Sequence, residues 1–312
     1  MRMANYLIKQ VQQFEQEHQT LVPTIYQILS SFFFALNHFS VKLFDGIPVT
    51  QIIIWRCALT FIIIRLFNQI LPLQSYPKNQ KIMNKLLFRG AIGMFGFLAC
   101  FSSLKLVAVS EAVVLMKTNP IWTTLILVYV LRKEKINMRT AIEIITCIIG
   151  VIFITKPPLI FGNENSEYSI LYLIGLCLAL VTGLETAVAQ VIIKSLNNQV
   201  HSFVILQYFS LFAVIGAVLF QLYSPFEDMR FLSFKEAVIL LFSGFLGCLG
   251  SMFMNRAMML GKVTQMALIG ETQIVFNILL DLLILKQMIG MTSWIGIGMI
   301  ATSLTSNIMQ KN

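Results

Sequence analysis

Five ionisable side chains inside long apolar stretches of this sequence are candidates for chemistry, because bulk water is not expected to solvate them there. They are His38, Arg56, Lys117, Glu185 and Glu271. On insertion scales an ionisable group at the centre of a bilayer costs about 2.5–3.5 kcal/mol, so each of these residues needs a partner, a cavity or a ligand. The cationic groups are suited to binding an anion and the carboxylates to binding a cation or a proton, and an imidazole titrates near neutral pH.

Lys117 and Glu271 are the two charges nearest to a feature that disturbs a helix. Lys117 lies one turn before Pro120, which removes a backbone hydrogen bond. A cation at such a point can bind an anionic group, or it can extend its apolar stem toward the outer interface. Glu271 has three open roles, namely an ion pair with Lys117, binding of a cationic group, or proton uptake. The topology predicted below separates the two residues by roughly 9 Å of depth, so pairing requires both side chains to be extended.

The other three ionisable residues each have one functional and one structural interpretation. Arg56 can neutralise a carboxylate or phosphate through two hydrogen bonds, or it can brace helices near the outer interface. His38 can take part in proton coupling, or it can hydrogen-bond to a neighbouring helix. Glu185 shares a small, polar helix face with Thr182 and Ala189, which fits a cavity wall or a structural hydrogen bond.

Motifs of hydrolytic, metal or phosphate-binding chemistry are missing from the sequence. The three histidines are not clustered, and neither HExxH nor GxSxG occurs. The glycine rows around Gly93, Gly96 and Gly247 lack the GxxxxGK[ST] pattern of a phosphate loop and are better suited to close helix packing. We therefore predict no catalytic residue, no metal site and no cofactor.

The elements that must position these residues are transmembrane helices. The chain has 312 residues, of which 57% are hydrophobic and 12% charged, with a mean hydropathy of +0.79. That balance is far from the composition of a water-soluble domain. A spanning helix needs about 20 mostly apolar residues, and ten stretches meet this requirement. They lie near residues 23–44, 50–71, 86–106, 110–131, 138–157, 169–192, 201–222, 235–256, 264–285 and 291–309. The predicted fold class is therefore an all-α integral membrane protein with about ten helices.

The basic residues predict how the chain is oriented. Fifteen Lys and Arg residues, including Arg89 and Lys194, fall on the side of the N-terminus, and six fall on the other side. By the positive-inside rule both termini are cytoplasmic. Residues 1–22 are then a cytoplasmic tail, either a short amphipathic helix on the membrane surface or a loosely ordered segment. The sequence is compatible with a plasma membrane and with an internal membrane.

An internal repeat divides the chain at a polar linker, residues 158–168. A shift of 152 places Ser31 and His38 of the first helix on Gly183 and Gln190 of the sixth. A shift of 153 pairs the fourth helix with the ninth and places Glu271 opposite Thr118. Two units of five helices, residues 23–157 and 169–309, must enter the membrane in opposite directions because five is odd. This is an inverted-topology repeat.

A set of short motifs lies at the ends and centres of the predicted helices: Lys42, Trp55-Arg56, Glu111-Ala112, Asn119-Pro120-Ile121-Trp122, and Glu134 through Gly150-Val151. Together they resemble the EamA-type branch of the drug/metabolite transporter superfamily, which is related to the nucleotide-sugar transporters. The resemblance implies ten helices in two inverted repeats, a central solute cavity and alternating access. Gln273 stands where the ninth helix of the family often has a proline, so a second kink matching that at Pro120 would lack its proline. Asn119 and Gln273 join the five ionisable residues as predicted substrate-binding residues.

The function predicted from the sequence is secondary transport of a small polar metabolite by alternating access. A non-transporting scaffold or a channel is the alternative, and a membrane-embedded enzyme is less favoured. The predicted partners are a small-molecule solute, with a coupled proton or an exchanged solute, and the lipid bilayer. Nucleic acid is not predicted, and a homodimer is not excluded.

Overall fold

The structure is a computed structural model, and all regular elements in its described part are helical. It describes residues 10, 13–41, 47, 49–70, 77–107, 109–132, 137–156, 160, 170–197, 199–223, 231–284 and 290–309.

The helices follow the predicted apolar stretches closely. In chain order they are α1 (Leu21–Val41), α2 (Val49–Ile70), α3 (Gln80–Leu106), α4 (Val109–Met116), α5 (Asn119–Leu125), α6 (Met138–Thr155), α7 (Ile170–Ser195), α8 (Ser202–Tyr223), α9 (Phe234–Leu260), α10 (Val263–Gly270), α11 (Thr272–Ile284) and α12 (Met291–Met309). A π-helical turn, Ile126–Val130, continues α5. In the described part of the chain, seven spans are long and apolar enough to cross a membrane, with α4–α5 and α10–α11 each counted as one. The all-α membrane class is thus confirmed, and the count of ten spans stays a prediction.

Local capping sets where several helices begin. Asn79 accepts a hydrogen bond from the Lys81 backbone N–H and starts α3 six residues before the predicted stretch. Ser233 and Glu236 form a reciprocal capping box at the start of α9. The earlier start of α3 places Arg89 in the third turn of the helix and not in the first, although the sequence analysis counted it among the charges at the cytoplasmic end.

The two halves of the chain interleave. The most extensive packing joins α1 to α9, and the next joins α3 to α7. In both contacts the first helix of one half packs against the third helix of the other half. The fifth helix of each half packs on its counterpart, as α6 on α12. Most of the packing in the described residues therefore runs between the halves.

Glycine rows allow the closest of these approaches. The Ser30 hydroxyl on α1 donates to the Gly250 carbonyl on α9 at 2.8 Å. At the equivalent contact the Thr182 hydroxyl on α7 donates to the Gly96 carbonyl on α3 at 3.4 Å. A Cβ atom at Gly250 would lie 3.0 Å from the Phe34 ring, so a larger residue would push α1 away.

Two polar contacts close the end of the bundle at which α7 and α9 finish. The Lys194 ammonium donates to the carbonyls of Met259 and Gly261, at 2.9 and 2.7 Å, where α9 has no further backbone donors. Arg256 forms an ion pair and hydrogen bonds with Glu15, a buried residue of the N-terminal segment. Residues 13–17 of the predicted tail are thus helical and packed against α9. By the predicted topology this is the cytoplasmic end.

Replacing Lys194 with methionine is expected to lower the free energy of unfolding by about 1.5–3 kcal/mol, because hydrogen bonds from a charged donor have about that value. The measurement is chemical or thermal denaturation of the detergent-solubilised protein. Lys262→Met is the control, because Lys262 is exposed two residues beyond the end of α9, and its removal should change stability by less than about 0.5 kcal/mol. Equal effects of the two substitutions would show that Lys194 does not cap α9.

Candidate functional site

Two helices, one in each half, are interrupted near their midpoints. Lys117 and Thr118 separate α4 from α5, and Glu271 separates α10 from α11. The backbone bonding is alike at the two interruptions. The Thr118 N–H donates to the Leu115 carbonyl at 3.2 Å, and the Glu271 N–H donates to the Leu268 carbonyl at 3.0 Å. These pairs are offset by 153 residues, which is the shift predicted for the fourth and ninth helices.

The second interruption does not need a proline. Pro120 follows the first, whereas Gln273 follows the second. At both, a threonine hydroxyl donates to a carbonyl three residues earlier, from Thr118 at 2.6 Å and from Thr272 to Ile269 at 2.7 Å. Each hydroxyl gives a further hydrogen bond to a carbonyl at the end of the preceding helix. A matching pair of interruptions therefore exists although Gln273 replaces the proline.

The charges at the two interruptions form an ion pair. Lys117 Nζ lies 3.3 Å from Glu271 Oε2, with side-chain exposures of 23% and 3%. Among the described residues Glu271 Oε2 has no hydrogen-bond partner of good geometry, so its contact with Lys117 is an ion pair. Of the three roles left open for Glu271, the structure contains the pairing with Lys117. The predicted separation in depth is bridged because α5 packs against α10, which brings the two interruptions together.

His38 and Gln273, both predicted site residues, are also brought together. Gln273 Nε2 lies 3.2 Å from His38 Nδ1, which joins α1 to α11 just after the interruption at Glu271. Gln273 donates when Nδ1 carries no proton. Asn119 is buried at the first residue of α5, directly after Lys117 and Thr118. Both interruptions are thus followed by a side-chain amide.

Arg56 lies in a hydrogen-bonded chain that joins three helices. Its Nη1 donates to Asn37 Oδ1 on α1 at 2.8 Å, and the Asn37 amide donates to the hydroxyl and carbonyl oxygens of Ser243 on α9. The bracing interpretation of Arg56 is therefore supported. These hydrogen bonds also hold the Arg56 guanidinium in one position, so it is positioned in advance for a ligand.

Glu185 lies apart from the Lys117–Glu271 pair and is associated with α3. Its carboxylate occupies the space that a side chain at Gly96 would need. It is close enough to Arg89 for an electrostatic interaction, although no ion pair within 4 Å joins the two. Glu185 therefore partly offsets the charge of Arg89 without satisfying its hydrogen-bond donors.

Arg89 is a candidate site residue that the sequence analysis missed. It is only 6% exposed, and its guanidinium carbon lies 4.7 Å from the centre of the Phe209 ring. Its Nε and Nη1 atoms have no hydrogen-bond partner among the described residues. The spacing from Arg89 to Gly93 and Gly96, four and then three residues, places all three on one helix face. That spacing is the signal that could have identified it.

A cavity of about 170 Å³ lies among α1, α2, α3, α8 and α9, with His38, Arg56 and Arg89 on its walls. Lys117 and Glu271 are not among the lining residues. His38 links the two regions, because it lines the cavity and contacts Gln273 beside the ion pair. The candidate site thus has two adjoining parts, a polar cavity and an ion pair between interrupted helices. The described residues contain no cluster of three or more His, Cys, Asp or Glu side chains that could hold a metal ion.

Comparisons with known proteins show the family of the chain. The sequence model of the EamA-like transporter family matches residues 22–156 and again residues 173–309. The chain belongs to the EamA-like transporter family. The family resemblance found in the sequence is therefore confirmed, and the matched segments are nearly equal in length.

Relatives of this EamA-family chain carry transporter names. It is 22% identical to human solute carrier family 35 member G1 over 91% of this chain and 77% of the relative. It is 26% identical to an uncharacterized transporter of Helicobacter pylori over 74% of each chain. A protein of known crystal structure has the same fold, with a TM-score of 0.76, 15% identity and coverage of 94% of this chain and 97% of that one. The chain is thus a member of a membrane transporter family.

Proposed function

We propose that this protein is a secondary transporter that moves a small polar metabolite across a membrane by alternating access. In this proposal residues 23–157 and 169–309 are inverted five-helix repeats, and the solute binds between them near the midplane. The double match to one family model and the transporter names of the relatives support the proposal.

The observation that carries the proposal is the meeting of two interrupted helices at a buried ion pair beside a polar cavity. A buried ion pair contributes little net stability, because desolvation offsets most of the attraction. Lys117 and Glu271 are therefore better explained as groups that work during transport than as a device for holding α5 and α10 together. Interrupted helices near the midplane are a common way for transporters to present polar backbone to a solute or a coupling ion.

The closed end of the bundle supports an alternating mechanism. On the predicted cytoplasmic side Lys194 joins the end of α7 to the end of α9, and the Glu15–Arg256 pair joins the N-terminal segment to α9. Opening that side requires these contacts to break while equivalent contacts form at the other end. Lys42, which the shift of 152 pairs with Lys194, is the candidate for the opposite contact and lies outside the described residues.

The test is exchange in proteoliposomes, since the solute is unidentified. Vesicles are loaded with a pool of amino acids, carboxylates, sugar phosphates, nucleotide sugars and polyamines, and an isotopically labelled copy of the pool is added outside. Mass spectrometry of the washed vesicles then measures which labelled solutes entered. We expect one solute class to accumulate with the wild type and with Lys262→Met, and not with the double variant Lys117→Met, Glu271→Gln.

Two results would contradict the proposal. No accumulation by folded, monodisperse protein would favour a scaffold, and uptake that rises with concentration without saturating would favour a channel. Repeating the exchange with and without a pH gradient identifies the coupling. Accumulation that depends on the gradient indicates a coupled proton, and accumulation that depends on internal solute indicates exchange.

A further inference from the structure

The cavity that lies beside the ion pair carries positive charge on its walls. Arg56, Arg89 and His38 line it, and none of its lining residues in the described part of the chain is acidic. Glu185 interacts electrostatically with Arg89 but does not line the cavity. A ligand that entered this space would therefore meet two guanidinium groups and no carboxylate.

The buried Arg89 guanidinium lacks the hydrogen-bond acceptors that a ligand in the cavity would supply. Burying a charged group without hydrogen-bond acceptors is costly, and buried arginines are normally paired. Arg89 is 6% exposed, and two of its three guanidinium nitrogens have no partner among the described residues. The Phe209 ring face covers one side of the guanidinium but accepts no conventional hydrogen bond. An oxyanion inside the cavity would supply both the missing charge and the missing acceptors.

Arg56 lies on the same cavity but is already fixed in place. Its bond to Asn37 leaves it less mobile than a free arginine, so it loses little conformational freedom when an anion binds. The hydroxyl and amide residues of the wall, among them Thr60, Ser251 and Asn255, can bond polar groups elsewhere on the solute.

The size of the cavity limits what it can hold. A cavity of about 150 Å³ accommodates benzene, so one of about 170 Å³ suits a solute of roughly six to ten non-hydrogen atoms. A short carboxylate or a small phosphate ester fits, and a nucleotide sugar is several times too large for the cavity in this conformation.

We propose that the solute is a small organic anion whose carboxylate or phosphate group binds between Arg89 and Arg56. This inference rests on the proposed transport function, because it names the substrate class of the same site. His38 then lies between the bound anion and the Lys117–Glu271 pair, through its contact with Gln273.

The test compares small ligands that differ in charge. Thermal stability of the purified full-length protein is measured with succinate against succinamide, glycerol 3-phosphate against glycerol, and putrescine as a cation. We expect one acidic ligand to stabilise the wild type, with a dissociation constant at least tenfold lower than that of its uncharged partner. The carboxylate and phosphate arms distinguish which oxyanion the cavity binds.

Two variants locate the effect. Arg89→Gln is expected to weaken binding of the acidic ligand by about 10- to 100-fold, because hydrogen bonds from a charged donor are lost. Arg65→Gln, a substitution on the exposed face of α2, is expected to leave the binding of the acidic ligand unchanged.

The comparison of ligands on the wild type needs no variant, so misfolding of Arg89→Gln cannot hide the result. Tighter binding of the uncharged or cationic ligands, or no response to either acid, would overturn the proposal. If neutral or cationic solutes exchange in proteoliposomes, transport stands and only the anion assignment fails.

Discussion

Lys117→Met is expected to destabilise the protein more than removal of both charges of the Lys117–Glu271 pair. The single substitution leaves the Glu271 carboxylate, with 3% of its side chain exposed, without a counter-charge, and breaking a buried pair in this way costs about 3–5 kcal/mol. Glu271→Gln should cost less, because the Lys117 side chain is 23% exposed and can turn its ammonium toward water. The double variant should recover most of the loss.

Denaturation of the wild type, both single variants and the double variant gives the coupling energy directly. We expect at least about 2 kcal/mol of interaction between the two positions, because the double variant should recover most of the Lys117→Met loss. If the effects of the two single substitutions simply add, the Lys117–Glu271 contact at 3.3 Å contributes no interaction energy. Exchange in proteoliposomes separates structure from function, since the double variant should be stable yet exchange solute at least tenfold more slowly. Normal exchange by a stable double variant would make the pair a structural feature only.

Gly296→Ala is expected to force α6 and α12 apart and to destabilise the protein. A Cβ atom at Gly296 on α12 would lie 2.5 Å from the Gly150 carbonyl oxygen on α6 and 2.7 Å from Ile154 Cγ1. A backbone oxygen cannot turn aside as a side chain can, so α6 and α12 must separate. The expected loss is about 1–3 kcal/mol, the usual range for overpacking, with a parallel loss of folded yield.

Gly298 supplies the matched control for that experiment. It lies two residues further along α12, and a Cβ atom there would have no atom within 4 Å. Gly298→Ala is therefore expected to leave stability unchanged or to raise it by up to about 1 kcal/mol through helix propensity. Equal losses from the two substitutions would mean that α6 and α12 do not cross at Gly150 and Gly296.

The positions of the helices could be predicted because hydropathy and breaker residues act locally. The start of α3 could not be predicted in this way. Asn79 caps the helix before a polar first turn, and a search for apolar stretches leaves that turn out. Arg89 fell in the first turn of the predicted stretch and was therefore counted as one more cytoplasmic charge, whereas it lies in the third turn of α3. Whether a charge near a span end is buried depends on α8 and α7, which contribute Phe209 and Glu185, and no local pattern contains that information.

The candidate site was predicted in part for the same reason. Lys117, Glu271 and His38 were identified from the cost of placing charge in an apolar stretch, which is a property of the sequence. Their pairing depends on two interruptions meeting in space. The interruption at Glu271 in particular has no proline signal, and it is accompanied by a Thr272 hydroxyl bond that a sequence does not reveal. The sequence indicated that Glu185 lies on a small, polar helix face, but its association with Arg89 required the packing of α7 on α3.

If the polar cavity opens to each side of the membrane in turn, site-directed labelling detects this without knowledge of the solute. In a variant with Cys57, Cys100, Cys147, Cys177 and Cys248 replaced by alanine, Ser251→Cys places one thiol on the cavity wall. A membrane-impermeant maleimide is added to either side of oriented vesicles. Leu184→Cys is the control, because Leu184 lies on the outer surface midway along α7 and should be shielded by lipid from both sides.

We expect the thiol at position 251 to be labelled from both sides, and labelling from one side to fall when a bound solute holds the cavity open to the other. Labelling of position 251 from one side only, under every condition that leaves the protein folded, would contradict alternating access.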